Sequence, residues 1–267
     1  MGLSFSVLAS GSTGNAAVIR SKDVMLMVDA GLSAKKLEQL LSEREVSGEH
    51  LDGILVTHEH SDHIKGLGAI ARKYKLSVYA NEKTWEAMNK HVGQLEDEQK
   101  KVIEIGQTLQ FGELTVESYP LSHDAAEPMG FCFRQGDRKV SIATDLGYVS
   151  AKVREKILDS DAIVLESNHD VEMLRVGRYP WNIKRRILSD VGHLSNEAAG
   201  EALVQLLSEN TRRVYLAHLS QDHNMMDLAK LTVNTMCKER GIHLENRRVK
   251  LMDTYYDRPT LWDDLDY

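Results

Sequence analysis

The segment His58-Glu59-His60-Ser61-Asp62-His63 constrains this chain more than anything else in it. It follows an apolar run, Asp52–Thr57 (DGILVT), that reads as a buried strand, and it precedes a helical pattern reaching about Lys75. On an extended segment residues i and i+2 project to the same side, so His58 and His60 can grip one ion. Where the chain turns into the helix, Asp62 and His63 project differently and can serve a second. Three imidazoles and a carboxylate within six residues match the ligand preferences of zinc, manganese and iron.

The rest of the pattern says what surrounds that strand end. Strands Ser4–Ala9, Ala16–Arg20 and Val24–Asp29 open the chain, the first two joined by the glycine-rich turn Ser10–Asn15. Ser33 reads as the N-cap of a helix from Ala34 to about Glu45, with Leu37, Leu40 and Leu41 as its buried stripe. Strand Leu76–Ala80 and a helix over Lys83–Lys90 lead to a second run of strands that includes Gly130–Gln135 and Lys139–Asp145. Helix Ala151–Leu158, strand Ala162–Ser167 and an irregular basic segment follow. Helix Asn196–Glu209, strand Val214–Ala217, a helix near Met225–Arg240 and strand Val249–Asp253 complete the pattern. Two blocks of strands, each followed by helices and not separated by a Pro- or Gly-rich linker, predict an α/β sandwich: two mixed sheets face to face with helices outside. A single domain over 1–267 is expected, with the acidic end, 255–267, as a loose tail.

Composition removes several classes. Hydrophobic residues make up 42% of the chain and charge is mixed, which excludes disorder and a fibrous repeat. No stretch approaches the roughly 18 apolar residues needed to span a membrane. The N-terminus lacks a basic n-region and a long apolar h-region, and Cys132 and Cys237 lie far apart with no CxxC. A cytoplasmic protein without a disulfide scaffold is expected. The net charge of -7 counts against wrapping nucleic acid through bulk charge, although a metal site supplies positive field locally.

Three further candidates close strands: His123 after TVESYPLS, Asp145 after IAT and His218 after VYLA. A carboxylate such as Asp145 has the two oxygens needed to bridge two cations. The order Asp29, His58/His60/Asp62/His63, His123, Asp145, His218 resembles the five motifs of the metallo-β-lactamase superfamily of dimetal hydrolases, across nearly the whole chain. That resemblance implies the αββα sandwich with two divalent ions, Mn²⁺ or Zn²⁺, at one edge between the sheets. By it His58, His60 and His123 hold one ion and Asp62, His63 and His218 the other. Asp145 then bridges them, and Asp29 braces the histidine loop.

A narrower likeness, to the YycJ/WalJ-type family of Gram-positive bacteria, rests on MGLSFSVLASGSTGN, THEHSDH, ATDLG and LESNHD. It implies a phosphodiesterase that degrades duplex DNA from the 5′ end by attack of a metal-bridging hydroxide. Asp62 and His193 are the expected catalytic residues. His193 precedes a helix capped at Ser195, a position suited to a phosphate or to a proton for the leaving oxygen; a metal ligand in place of His218 is the other reading.

Substrate contacts are expected from Ser12 and Asn15 in the first turn; Glu166, Asn168 and His169 at a strand end read as substrate contacts, as residues bracing the ligands, or as a plain strand-end turn. Arg175, Arg178, Lys184 and Arg185, interleaved with Tyr179 and Trp181, form a basic-aromatic stretch able to track a backbone or to remain a solvated face. A small-molecule hydrolase for a thioester, lactone or cyclic phosphodiester would use the same ligands. A metal-binding scaffold with little turnover is the third class.

Overall fold

The strands sort into two seven-stranded sheets in a computed structural model that describes residues 2–266. Met1 and Tyr267, the ends of the expected 1–267 domain, lie outside the described residues. The first sheet holds β1 (Ser4–Ala9), β2 (Ala16–Arg20), β3 (Met25–Val28), β4 (Gly53–Leu55), β5 (Ser77–Ala80) and β6 (Lys100–Val102), in that order. The second runs β7 (Thr108–Phe111), β8 (Leu114–Pro120), β9 (Met129–Gln135), β10 (Arg138–Ala143), β11 (Ala162–Glu166), β12 (Arg213–Ala217) and β13 (Lys250–Met252). A last strand, β14 (Asp263–Asp264), returns to the first sheet and pairs antiparallel with β1.

Both sheets begin with antiparallel neighbours and then switch. β3 to β6 are parallel in one, and β10 to β13 in the other. Parallel strands put all their carboxyl ends on one rim, which is where α/β sheets present ligand-binding groups.

Helices cover the two outer faces. α1 (Ala34–Ser42), the single turn α2 (Ser61–Ile64), α3 (Leu67–Tyr74) and α4 (Glu82–Val92) belong to the first half. α5 (Ala151–Ile157), α6 (Val171–Val176), α7 (Trp181–Ile187), α8 (Asn196–Leu206) and α9 (Met226–Glu239) belong to the second. Side-chain oxygens start several of them: Ser33 accepts from Lys36 N, Asn81 from Thr84 N, Ser150 from Val153 N and Ser195 from Ala198 N.

Three apolar layers result. Phe5, Ile19, Leu26, Phe131, Phe133 and Val164 fill the space between the sheets. Leu37, Leu40, Ile70 and Met88 pack helices on the first sheet, and Val153, Leu203 and Val233 pack them on the second. Each such side chain contributes about 1.5–3 kcal/mol on burial. This is the αββα sandwich. Among the described residues no helix is long and apolar enough to cross a membrane.

Two expectations about local order need correction. The acidic end is docked rather than loose over its described residues. Trp262 lies under the Arg20 guanidinium at 4.0 Å and donates its indole N–H to Arg44 O at 3.2 Å. Asp263 is buried because Tyr215 donates its hydroxyl to it at 2.8 Å and Arg213 pairs with it at 3.0 Å. The negative charge that made the segment look solvated is therefore answered locally. The basic stretch after β11 is likewise not irregular: α6 starts at Asp170, which caps Met173 N, and α7 starts after Pro180.

Candidate active site

Strand ends build the site, and three of them end in a backbone turn that L-residues seldom adopt. Asp29 after β3, Asp145 after β10 and His218 after β12 have φ of 58°, 63° and 54°. Left-handed backbone at non-glycine residues is held only where surrounding contacts enforce it, and it concentrates at functional sites. Here the turn swings each side chain off its sheet and into the cleft.

After β4, the chain stays extended through His60 (φ -61°, ψ 147°), and then winds into the single turn α2. This change of backbone separates His58 and His60 from Asp62 and His63. Gly31 lets the β3 turn lie against that loop, since a Cβ there would sit 1.6 Å from the Asp62 carbonyl oxygen. Asn15 N donates to the same oxygen at 2.8 Å.

Four of the imidazoles are oriented by the nitrogen they turn away from the cleft. His63 Nδ1 donates to Asp29 Oδ2 at 2.8 Å, and Asp29 also accepts from Thr57 N and Thr57 Oγ1, both at 2.8 Å. With its proton given to Asp29, the Thr57 hydroxyl accepts from His58 Nδ1 at 2.9 Å. His123 Nδ1 donates to Gly192 O at 3.0 Å, and His218 Nδ1 to Glu166 Oε1 at 3.1 Å. Four Nε2 atoms are thereby left facing inward, the arrangement that metal-binding histidines require.

Those atoms converge. His58, His60 and His123 each offer one ligand atom within 4.8 Å of the others, as do Asp62, His63 and His218, and also His58, His63 and Asp145. His123 Nε2 faces His60 Nδ1 at 3.2 Å, and His218 Nε2 faces Asp62 Oδ2 at 3.4 Å. His63 Nε2 is 3.1 Å from Asp145 Oδ2. His58 Nε2 is buried with no hydrogen-bond partner, and Asp145 Oδ2 meets only the His63 ring nitrogen. Leaving a buried polar atom unsatisfied costs about 1–3 kcal/mol, so an orphaned nitrogen beside a carboxylate oxygen with spare lone pairs fits divalent cations.

Charge points the same way. Burial holds His58 well below the ordinary histidine value and lowers His123. Burial also opposes charge on His63 and His218, yet Asp145 with Asp29 raises the former well above its usual value. Asp145, Asp62 and Glu166 raise His218 to about 10. Against burial, His218 and His63 hold Asp145 well below the carboxylate range, and His193 brings Glu166 to about 2. Four carboxylates in one buried cluster favour whatever carries positive charge there.

His193 stands at the rim. Its Nδ1 is 2.7 Å from Glu166 Oε1, and its ring stacks on His218 with centroids 5.2 Å apart. His193 is thus brought to the cluster with the histidines, Asp62, Asp145 and Asp29.

Other expected contacts divide. Ser12 is exposed at the turn tip, whereas Asn15 is buried, with Nδ2 3.4 Å from Asp62 Oδ2 and 3.2 Å from His63 Nε2. Of its expected roles, Glu166 takes the bracing one, behind His193 and His218. It is wholly buried, and its other oxygen accepts from Leu146 N and Leu194 N. His169 is buried too, with Nδ1 3.3 Å from Asn168 Oδ1, and does not face the surface. Lys184 is turned inward: it is 8% exposed, and its ammonium donates to Arg175 O at 2.6 Å. Arg175 pairs with Glu172, and Arg178 and Arg185 project outward without an ion pair among the described residues.

Sequence reasoning missed Thr57, the hub between Asp29, His58 and His63; Asn168, which it grouped with Glu166 and His169, donates its amide to His218 O at 2.7 Å. It also missed Ser10, whose Oγ accepts from His218 N at 2.7 Å. Thr57 touches the histidine motif in sequence and was the one open to notice.

An αββα sandwich with a histidine–carboxylate cluster at the strand ends defines a class, and one family model fits it. The model described as the beta-lactamase superfamily domain matches residues 25–219, and the chain belongs to that family. Exodeoxyribonuclease YycJ of Bacillus anthracis is 52% identical over 260 residues, covering 97% of this chain and 98% of that protein. Exodeoxyribonuclease WalJ of Streptococcus pneumoniae (serotype 2, strain D39) is 45% identical over 264 residues, 97% of each. In fold, the crystal structure of the metallo-beta-lactamase fold protein YhfI from Bacillus subtilis superposes with a TM-score of 0.74 at 17% identity. That match covers 97% of this chain and 99% of YhfI.

Proposed function

We propose that this chain is a two-metal exodeoxyribonuclease acting on duplex DNA from the 5′ end. The observation that carries the reading is identity of 52% along nearly the full length of a relative named exodeoxyribonuclease. The orphaned His58 Nε2, with the Asp145 carboxylate beside it in the same cluster, supports the metal requirement. His58, His60 and His123 would hold one ion, Asp62, His63 and His218 the other, and Asp145 both. Bound there, Mn²⁺ or Zn²⁺ lowers the pKa of the attacking water and neutralises non-bridging phosphate oxygens.

The chain's own residues do the rest. Asp29 and Glu166 fix the rings of His63 and His218 so that their Nε2 atoms point into the cleft. Glu166 also anchors His193 through Nδ1, which leaves Nε2 as the nitrogen able to pass a proton to the departing sugar oxygen. Arg178, Arg185 and Trp181, all exposed, are suited to steady the strand by charge and stacking.

The test is digestion of linear duplex DNA labelled at either end, by metal-depleted protein with Mn²⁺ or Zn²⁺ restored. Release of the 5′ label, abolished in Asp62→Ala and slowed in His193→Ala at unchanged metal content, is the expected result. No release in any metal by a protein holding two ions would overturn the nuclease and favour a thioester or cyclic phosphodiester substrate.

A further inference from the structure

A second concentration of positive charge lies away from the cleft, along the flank where β13 and β14 form the outer strands of the two sheets. A groove of about 1030 Å³ runs there. Its three carboxylates are already answered: Asp161 by Arg138, Asp253 by Lys230 and Asp263 by Arg213. Arg212, Arg248, Lys250 and Arg258 are exposed along it and have no carboxylate partner among the described residues. Arg212 donates to the carbonyls of Glu209 and Thr211, and Arg258 lies 4.0 Å over the Tyr255 ring, so both keep their full charge. Guarding an open edge strand takes a single lysine, which accounts for Lys250 and not for three arginines. Four uncompensated cations on a chain of net charge -7 define a site for an anion longer than one phosphate.

The groove's near wall is tied to the metal cleft through the protein. His218 N donates to Ser10 Oγ at 2.7 Å, and Ser10 N donates to Tyr255 O at 2.8 Å, so two hydrogen bonds join a cleft histidine to the groove's near wall. From there β12 runs back to Arg213 at the far end, roughly 16 Å at about 3.3 Å per residue. Leu261, 76% exposed, and Tyr255 offer apolar faces for sugars or bases on the way.

We propose that this groove holds the phosphate backbone of the DNA strand whose end occupies the cleft, several phosphates from the bond being cut. The identity of the strand and its path into the cleft rest on the nuclease reading above; the charge of the groove does not. A strand seated there is gripped by position rather than by sequence, because phosphates carry no base information.

The experiment measures fluorescence anisotropy of single-stranded oligodeoxynucleotides, about 4 to about 16 nucleotides long, in the cleavage-incompetent Asp62→Ala chain. Affinity is expected to rise with length. Adding Arg248→Ala, Lys250→Ala and Arg258→Ala should weaken the longest oligonucleotide by about tenfold or more and lower the slope of log affinity against log salt by about 2. Removing three exposed lysines elsewhere (Lys35→Ala, Lys90→Ala, Lys101→Ala) should leave both unchanged. The single change Lys250→Glu, at an exposed side chain, gives the same direction if the triple variant folds poorly. Affinity independent of length, a groove variant that binds as before, or an equal loss in the control overturns the groove. Digestion by the wild-type chain is read separately, so a groove that fails beside intact digestion leaves the nuclease standing, and the reverse also holds.

Discussion

The two sheets supply the cleft in opposite ways. On the first, four candidate ligands lie within His58–His63, one unbroken segment, and a single carboxylate, Asp29, clamps it through His63 and Thr57. On the second, His123, Asp145 and His218 come from three strand ends far apart in sequence. Glu166 joins two of that side's rings, His193 and His218. The device is the same on both sides: a buried carboxylate takes an Nδ1 proton and so aims Nε2. What differs is reach. Asp29 serves residues of one loop, whereas Glu166 ties a ligand to the residue expected to move a proton.

That difference is breakable, and the largest expected effect tests it directly. Asp29→Asn and Glu166→Gln should each cost roughly 10–100-fold in activity at limiting metal. Saturating metal should restore kcat in Asp29→Asn, because only ligand orientation was lost. In Glu166→Gln a kcat deficit should persist, because His193 has also lost its anchor; full recovery of both would show the two clamps to be equivalent.

Gly31→Ala probes the first side alone. With a Cβ 1.6 Å from the Asp62 carbonyl, the loop must shift, at about 1–3 kcal/mol or a fall in Tm of roughly 2–10 °C. Metal content should fall with it, and calorimetry beside elemental analysis checks both. An unchanged Tm would mean that the two turns separate freely.

The smallest effect concerns pH in the metal-depleted chain. His218 is raised from about 6.5 to about 10, so its stabilisation is complete below pH 6.5 and drains away as pH climbs toward 10. Tm should therefore decline over that window, and less steeply in Glu166→Gln, where one of the carboxylates raising it is gone. A flat profile would contradict the charge balance drawn for the second side.

Legibility followed the same divide. The histidine segment could be read because its ligands are contiguous and sit after an obvious strand. The strand-end positions of His123, Asp145 and His218 were readable, and their grouping came from resemblance to a family. His169 and Lys184 misled, and Glu166 stayed undecided between roles, because only tertiary burial decides whether a polar side chain at a strand end or in a basic run faces solvent. The left-handed turns at Asp29, Asp145 and His218 leave no trace in composition, since no glycine marks them. Trp262 and Leu265 were hidden by the acidic residues around them.

The pairing of β14 with β1 sets Ser4 beside Asp264, close to the two ends of the described chain. Loop-closure entropy weighs against so non-local a contact, and two paired residues are expected to open readily. Their release would bare the β1 edge, a ready template for pairing with another chain, and would carry away Leu261 and Trp262 from the flank. The same short strand thus shields an edge whose exposure would invite aggregation.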